Sequence, residues 1–537
     1  MTEIVLSDIS EVEEETSDIL FHSIGEFCVN PSRDLQGSRI AAYAKRLDTC
    51  SKYGVTAFAD AKGVYVGMTT EILSAAAELK LAAQVPGSAE VAPPQEGLDL
   101  DGVYEETSLA RDPLLPASTV TTVRLEGVSI VSFSGDGILL AACTGGTLQV
   151  YEVYDLVQGR TEAAARWDLT EGGSGEIKSV SWNPKKGVLV AVTTGGKLHH
   201  VSYSGAGRLM VCCDVHGSEE REVGAATFSP DGTLLCYSWG DRVVVAGGSA
   251  PFVERWSMRL PEELSAHTIG WVEAGSLLLG CSYEDPEDSF DDRHKLLRVH
   301  HFEGSLETGC ALEVIDYMDG LLGADDKEYE LMRGKGASLG FAAAVTGWGL
   351  AVTAQRMSAA LAVVRYSGTP ASLVPEEEGQ GAVLPMTADG DECYVVGLAV
   401  DTSSLGVTVT HPGDAAPLPS SPVLLVALSD GRVTMFSFGR TDRSAYTGTL
   451  VAAPIPLPPV SVVPPSPSPG ELPSAMPVPP PATSAATGAA FGSTTFPVAA
   501  TGAAFGSTTF PVAATGAAFG STTVPVAATG GAFGSNS

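Results

Sequence analysis

Residues 18–442 are written in short apolar runs separated by turns that carry Gly, Pro, Asn or Asp. VSFSGDGILLAACTGGTLQVYEV (131–153), VSWNPKKGVLVAVTTGGKLHHVSY (180–203) and ATFSPDGTLLCYSWGDRVVVAG (226–247) share one order: an apolar-aromatic strand, a turn, a buried strand, a second turn and a third strand. The anchors Phe133, Trp182, Phe228 and Trp271 are 49, 46 and 43 residues apart. That interval is the spacing at which the four-stranded blades of a β-propeller recur. Similar runs lie at 53–67, 268–283, 347–354 with 360–367, 394–401 and 422–438, so that seven blades fit. Seven blades over residues 18–442 leave about 61 residues each, more than a blade needs. Composition therefore assigns insertions to 84–119 and to 284–335, the second opening with EDPEDSFDDRHK. The predicted fold is all-β, a divergent seven-bladed β-propeller. Only one Trp-Asp pair, Trp167-Asp168, and no Gly-His pair are present, so the usual repeat signature is missing.

The stretch 340–364 is apolar except for Gln355 and Arg356, but the uninterrupted part is too short for a membrane span, which takes about 20 residues. Two buried strands with a turn at Gln355-Arg356 are expected there. The pattern changes again near the C-terminal end. Thirteen prolines between Pro454 and Pro481 favour extended polyproline II and cannot donate ladder hydrogen bonds, which predicts a linker. The block TGAAFGSTTFPVAA then recurs with a period of 14, placing Phe-Gly pairs at Phe491, Phe505, Phe519 and Phe533.

The charge is as uneven as the hydropathy. Against 31 basic side chains stand 64 acidic ones, and only Glu471 among all of these lies after Arg443. A net charge of −33 argues against a nucleic-acid or anionic-membrane surface and for a partner with a basic patch. Nine cysteines without a C-x-x-C pair or regular spacing suggest reduced thiols and not a disulfide frame. The opening MTEIVLSDISEVEEETSD is acidic where a signal or transit peptide would be basic and then apolar, so no secretory route is expected.

Chemistry is harder to find. The chain has no P-loop, no H-E-x-x-H, no G-x-S-x-G and no zinc-spaced Cys/His cluster. Gly334-Lys335-Gly336 lacks the loop and the Ser or Thr of a phosphate cradle. His199-His200 and His300-His301 are adjacent pairs, which on a strand point to opposite faces and do not chelate one metal. Cys212-Cys213 reads as part of a buried strand, and the acidic run 284–292 as a solvated loop without calcium-loop geometry. No enzyme activity, cofactor or metal is expected. The Phe-Gly repeats are different: a neutral Ser/Thr/Ala-rich segment buries too little surface to fold, so its aromatics stay available as weak ligands that gain avidity by number.

A divergent acidic propeller, a Pro-rich linker and Phe-Gly repeats together resemble the nucleoporin 214/159 family of the nuclear pore. SKYGVTAFADAKGVYVGMTTEI (51–72) is similar to that family's first blade, GWGLAVTAQRMSAALAVVRYSG (347–368) to its blade-six hairpin and LPSSPVLLVALSDGRVTMFSF (418–438) to its last blade. The resemblance implies a propeller on the cytoplasmic face of the nuclear pore complex that recruits and helps reset the DEAD-box RNA helicase of mRNA export. It also implies repeats that bind nuclear transport receptors, other nucleoporins as partners, and no direct contact with nucleic acid or membrane. Carried onto VVRYSGTPASLVPEEEGQG, it implies helicase-binding roles for Arg365, Glu376, Glu377 and Glu378, and receptor-binding roles for Phe491, Phe505, Phe519 and Phe533. The expected organisation is an acidic tail (1–17), the propeller (18–442), a disordered Pro-rich linker (443–485) and a disordered repeat tail (486–537). The alternative reading is a generic propeller scaffold, of vesicle-coat or ubiquitin-ligase type, with an incidental tail.

Overall fold

The structure is a computed structural model that describes residues 2–3, 13–16, 19–31, 43–84, 113–169, 175–204, 208–214, 222–260, 264–273, 276–283, 293–300, 311–316, 341–354, 361–368, 371–375, 381–387, 393–403, 419, 421–440, 446–448 and 456–458. Chain contacts divide it into Met1–Ser466 and Pro467–Ser537. All the elements below belong to the first unit. The Phe-Gly pairs belong to the second and lie outside the described residues.

The described strands pair into seven sheets. In chain order their first strands are Leu47–Cys50, Val128–Phe133, Ile177–Trp182, Val223–Phe228, Leu264–Glu273, Phe341–Val345 and Val395–Asp401. Each first strand touches the first strand of the next sheet, and the seventh touches the first again, so the sheets stand in a ring. This is a β-propeller arrangement. The aromatic anchors lie where the sequence spacing put them: Phe133, Trp182 and Phe228 end the first strands of the second, third and fourth sheets, and Trp271 lies near the end of the fifth.

The core is divided among the gaps between neighbouring sheets. In Val423–Leu428, Leu424, Val426 and Leu428 pack in the gap toward the sixth sheet, while Val423, Leu425 and Ala427 pack in the gap toward the first. Side chains of a strand alternate between faces, and here both faces are buried, so the strand reads as an unbroken apolar run. Hydrogen bonds cross the same gaps. Trp182 Nε1–H donates to Ser132 O at 3.1 Å, Asn183 Nδ2–H to Gly232 O at 2.9 Å, and the Phe133 N–H to Asp48 Oδ2 at 2.8 Å.

The repeated Ser-x-Asp-Gly turn has a local cause. Ser134 and Ser229 each donate to the Asp two residues on at 2.6 Å, and each accepts the N–H of the residue five places on, at 3.0 Å. Gly137 and Gly232 follow with φ of 77° and 69°, in the left-handed region where a side chain is strained. Hydrogen bonds from the Ser229 hydroxyl and then from Thr233 hold the Asp231 carboxyl down at about 2.

The ring is closed by chain ends distant in sequence. Val395–Asp401, Val423–Leu428 and Val433–Arg440 receive as their outermost neighbour Ile19–Phe27, antiparallel, with Phe21 opposite Phe438 and Phe27 opposite Val433. The Phe21 and Phe438 rings lie 4.8 Å apart, and Trp348 meets Phe438 edge-on at 5.6 Å.

Several expectations need correction. Thr69–Gln84 is an α-helix in a fold expected to be all-β. It lies against the closing strand, burying Ile72, Leu73 and Ala76, and approaches so closely that a Cβ on Gly25 would sit 2.6 Å from Ala76 O. The apolar stretch expected to form two strands forms three, Phe341–Val345, Leu350–Ala354 and Leu361–Arg365, because Thr346–Trp348 turns and Gly349 adopts φ 65°. The span 284–335 is not wholly an insertion, since Arg293–His300 and Ala311–Asp316 complete the fifth sheet. Their basic and acidic residues hid them from a search for apolar runs. Within the stretch assigned to an acidic tail, Thr2–Glu3 and Glu13–Thr16 add strands to the fourth and sixth sheets. Within the stretch assigned to a disordered linker, Tyr446 packs edge-on against Trp348 at 5.3 Å, and Leu457 packs in the gap between the first and second sheets.

Phe21→Ala removes the ring that seats the closing strand, and we expect it to cost about 3–5 kcal/mol of unfolding free energy in urea titration. A loss under about 1 kcal/mol would mean that the closure does not depend on this contact.

Candidate functional site

The expected helicase-binding residues fall on the sixth sheet and the chain that follows it, and the junction with the seventh sheet carries two of the exposed large apolar side chains among the described residues. Arg365 ends the third strand of the sixth sheet, opposite Leu350 on one side and Ala371 on the other, and is half-buried. The fourth strand, Ala371–Pro375, runs directly into Glu376–Glu378. Glu376, Glu377 and Glu378 lie outside the described residues, as do Phe491, Phe505, Phe519 and Phe533. Of the expected site residues, the structure therefore places Arg365.

It also brings in residues that the sequence reading missed. Glu13–Thr16 lies parallel to the fourth strand, with Glu13 opposite Ser372 and Thr16 opposite Pro375. Three consecutive acidic positions thus share an edge with the strand that leads into three more. Nothing local in EEET marks it as a strand; only the partner edge does.

Beyond the acidic run, residues 381–387 cross to the seventh sheet. Ala382 and Leu384 pack into the gap between the two sheets, whereas Val383 and Met386 are 76% and 62% exposed. Arg432 pins this segment. Its Nη2 donates to Met386 O, its Nε pairs with Asp430, and its Nη1 lies 3.6 Å from Glu26 Oε2 on the closing strand. Burial works against the guanidinium charge, but Asp430 and then Glu26 outweigh it, so the Arg432 pKa is raised. Cys393 Sγ lies 3.4 Å from Arg432 Nη2, and burial, reinforced by Asp430, pushes its thiol up to about 12. At neutral pH that thiol is protonated and serves as packing.

The remaining candidates lie on strands. His199 and His200 are consecutive on Leu198–Ser204, both buried, and His200 packs edge-on against Phe252 at 5.2 Å. His300 ends the third strand of the fifth sheet, and Cys212 and Cys213 are consecutive on Arg208–Asp214. Among the described residues no cluster of three or more His, Cys, Asp or Glu has the geometry to hold a metal, and no helix is long and apolar enough to cross a membrane. The arrangement offers a surface for binding: an acidic edge, an exposed valine and methionine, and a buried arginine that fixes the segment between them.

No protein-family model matches this chain, and no curated protein matches it in sequence. Solved structures do. A chain from the complex of S. cerevisiae dbp5 bound to nup159, gle1, IP6 and ADP is similar at 12% identity and a TM-score of 0.51, over 80% of this chain and 98% of that one. The N-terminal domain of Nup159 is similar at 13% identity and a TM-score of 0.49, over 81% of this chain and 100% of that one. The β-propeller domain of Myceliophteria thermophila Cps50 (Swd1) gives 11% identity and a TM-score of 0.41, over 77% and 99%. At 12% identity the likeness to the chain of the dbp5–nup159 complex speaks for the fold alone.

Arg432→Met leaves Asp430 and Glu26 without their cation, and we expect a loss of about 3 kcal/mol in urea titration together with faster amide exchange in 381–387. Unchanged exchange in that segment would show that Arg432 does not pin it.

Proposed function

We propose that this chain is an interaction protein of the nuclear pore, in which a propeller docks the DEAD-box helicase of mRNA export and the Phe-Gly repeats bind nuclear transport receptors. The observation that carries this reading is the joining, in one chain, of an acidic propeller to Phe-Gly pairs at 14-residue intervals. The fold likeness to a chain from the dbp5–nup159 complex supports it.

In this reading the seven sheets are the seven blades of one propeller, spanning 18–442 with the closing strand supplied from its N-terminal end. Residues 443–485 link it to the repeat tail, 486–537. The location is the cytoplasmic face of the nuclear envelope, and the other partners are fellow nucleoporins. The helicase meets Arg365 and Glu376–Glu378, and the role is recruitment and resetting, not catalysis by this chain. A net charge of −33 attracts a basic partner and raises the rate of encounter more than the residence time, so binding weakens as salt rises.

Two measurements test the two halves separately. Changing Phe491, Phe505, Phe519 and Phe533 to Ser should weaken capture of transport receptors by about tenfold or more while the melting temperature stays put, because avidity falls with each lost ligand. Undiminished capture would remove the repeat-tail role. Reversing Glu376, Glu377 and Glu378 to Lys in the full chain should cost about 1 kcal/mol or more of helicase affinity at low salt. If instead the full chain captures coat or ubiquitin-ligase subunits and no helicase, the generic scaffold replaces this reading.

A further inference from the structure

The chain stays on the ring after its last strand ends. Val433–Arg440 finishes with Arg440 opposite Ile19, the first residue of the closing strand. Tyr446 is then seated in the gap between the sixth and seventh sheets, edge-on to Trp348 at 5.3 Å, and the Thr447 hydroxyl donates to Gly347 O. The fit is close, since a Cβ on Gly347 would overlap Gly448 N. Nine residues after Gly448, Leu457 is half-buried between two exposed prolines, Pro456 and Pro458. It packs against the cluster between the first and second sheets, to which Tyr53, Val66, Tyr151 and Leu156 belong.

These two seats are not neighbours. The seventh and first sheets stand between them, and with those sheets the gap where Ile24 and Phe27 of the closing strand pack. The closing strand also contributes Ile19 and Phe21 to the gap that holds Tyr446, but no residue to the cluster that holds Leu457. Nine Cα–Cα steps reach at most about 32 Å, and packed sheets stand about 10 Å apart. A connection across two sheets is therefore within reach, and one around the other five is not.

We propose that residues 446–458 are a clasp across the seam of the ring, fastened at Tyr446 on one side and at Leu457 on the other. Parting the seventh sheet from the first then requires one anchor to let go, which adds the exposure of the Leu457 side chain or of the Tyr446 ring to the cost of opening. Closure of the ring thereby depends on the same segment that continues into the Phe-Gly repeats. The inference goes beyond the function proposed above, because it needs neither a helicase nor a transport receptor.

Hydrogen exchange on the full chain tests it. Leu457→Asp puts a charge into an apolar seat that the closing strand does not reach, yet amides of Ile19–Phe27 should exchange about fivefold or more faster than in the native chain. Those of Val188–Thr193 in the third sheet, remote from both anchors, should stay within about twofold. In a Tyr446→Ala background the same substitution should add less than about twofold in Ile19–Phe27, because a clasp already open at one end no longer spans the seam. Unchanged exchange in Ile19–Phe27, an equal acceleration in Val188–Thr193, or the same factor in both backgrounds would each overturn the proposal. Should the charged variant fail to fold, Leu457→Ala gives the same comparisons, with an expected acceleration of about threefold in Ile19–Phe27.

Discussion

The pairing of Ile19–Phe27 with Val433–Arg440 is the interaction on which the rest depends. A ring of sheets has no inherent end, and each sheet is covered on both faces only if the ring is closed. Without the closing strand, the seventh sheet would lack its outer neighbour and the helix Thr69–Gln84 would lose the surface it packs on. The aromatic contacts of Phe21 with Phe436 and Phe438, and of Trp348 with Phe438, concentrate apolar burial at this seam, joining the sixth sheet to the seventh.

Dividing the core among gaps between sheets has a mechanical consequence. No single central cluster holds the described residues together; each gap is packed by side chains from two neighbouring sheets, and several are crossed by directed hydrogen bonds such as Trp182 to Ser132. Stability is therefore shared around the ring, while the outer edges stay free to vary. The acidic edge of the sixth sheet and the exposed Val383 and Met386 sit at such a periphery, next to the seam where N-terminal and C-terminal segments meet.

Arg432 ties that periphery to the closure. Its guanidinium reaches Asp430 in its own turn, Glu26 on the closing strand, the carbonyl of Met386 and the thiol of Cys393. A buried cation with two carboxylates is stabilising only when its neighbours stay in place, because desolvation is costly for whichever partner is left alone. The segment that follows the acidic run is thus positioned by the same contact that helps seat the N-terminal strand.

By itself, the amino-acid sequence determined the propeller's strand-and-turn order, the aromatic anchors at Phe133, Trp182, Phe228 and Trp271, the 14-residue Phe-Gly period and the acidic sign of the body. These are legible because they rest on local chemistry: period-two burial, the Ser-x-Asp-Gly turn, and counts of charge. Tertiary structure alone decided that Ile19–Phe27 closes the ring, that Glu13–Thr16 is a strand, that Arg293–His300 and Ala311–Asp316 belong to the fifth sheet, and that Arg432 joins residues 26, 386, 393 and 430. The closing strand, the Glu13–Thr16 strand and the Glu26–Arg432 contact are pairings across long sequence separation, whereas Arg293–His300 and Ala311–Asp316 pair with sequence neighbours. An edge supplies main-chain hydrogen bonds to whatever extended chain reaches it, so polar and acidic segments that carry no strand pattern of their own become strands only once the rest of the fold has put an edge beside them.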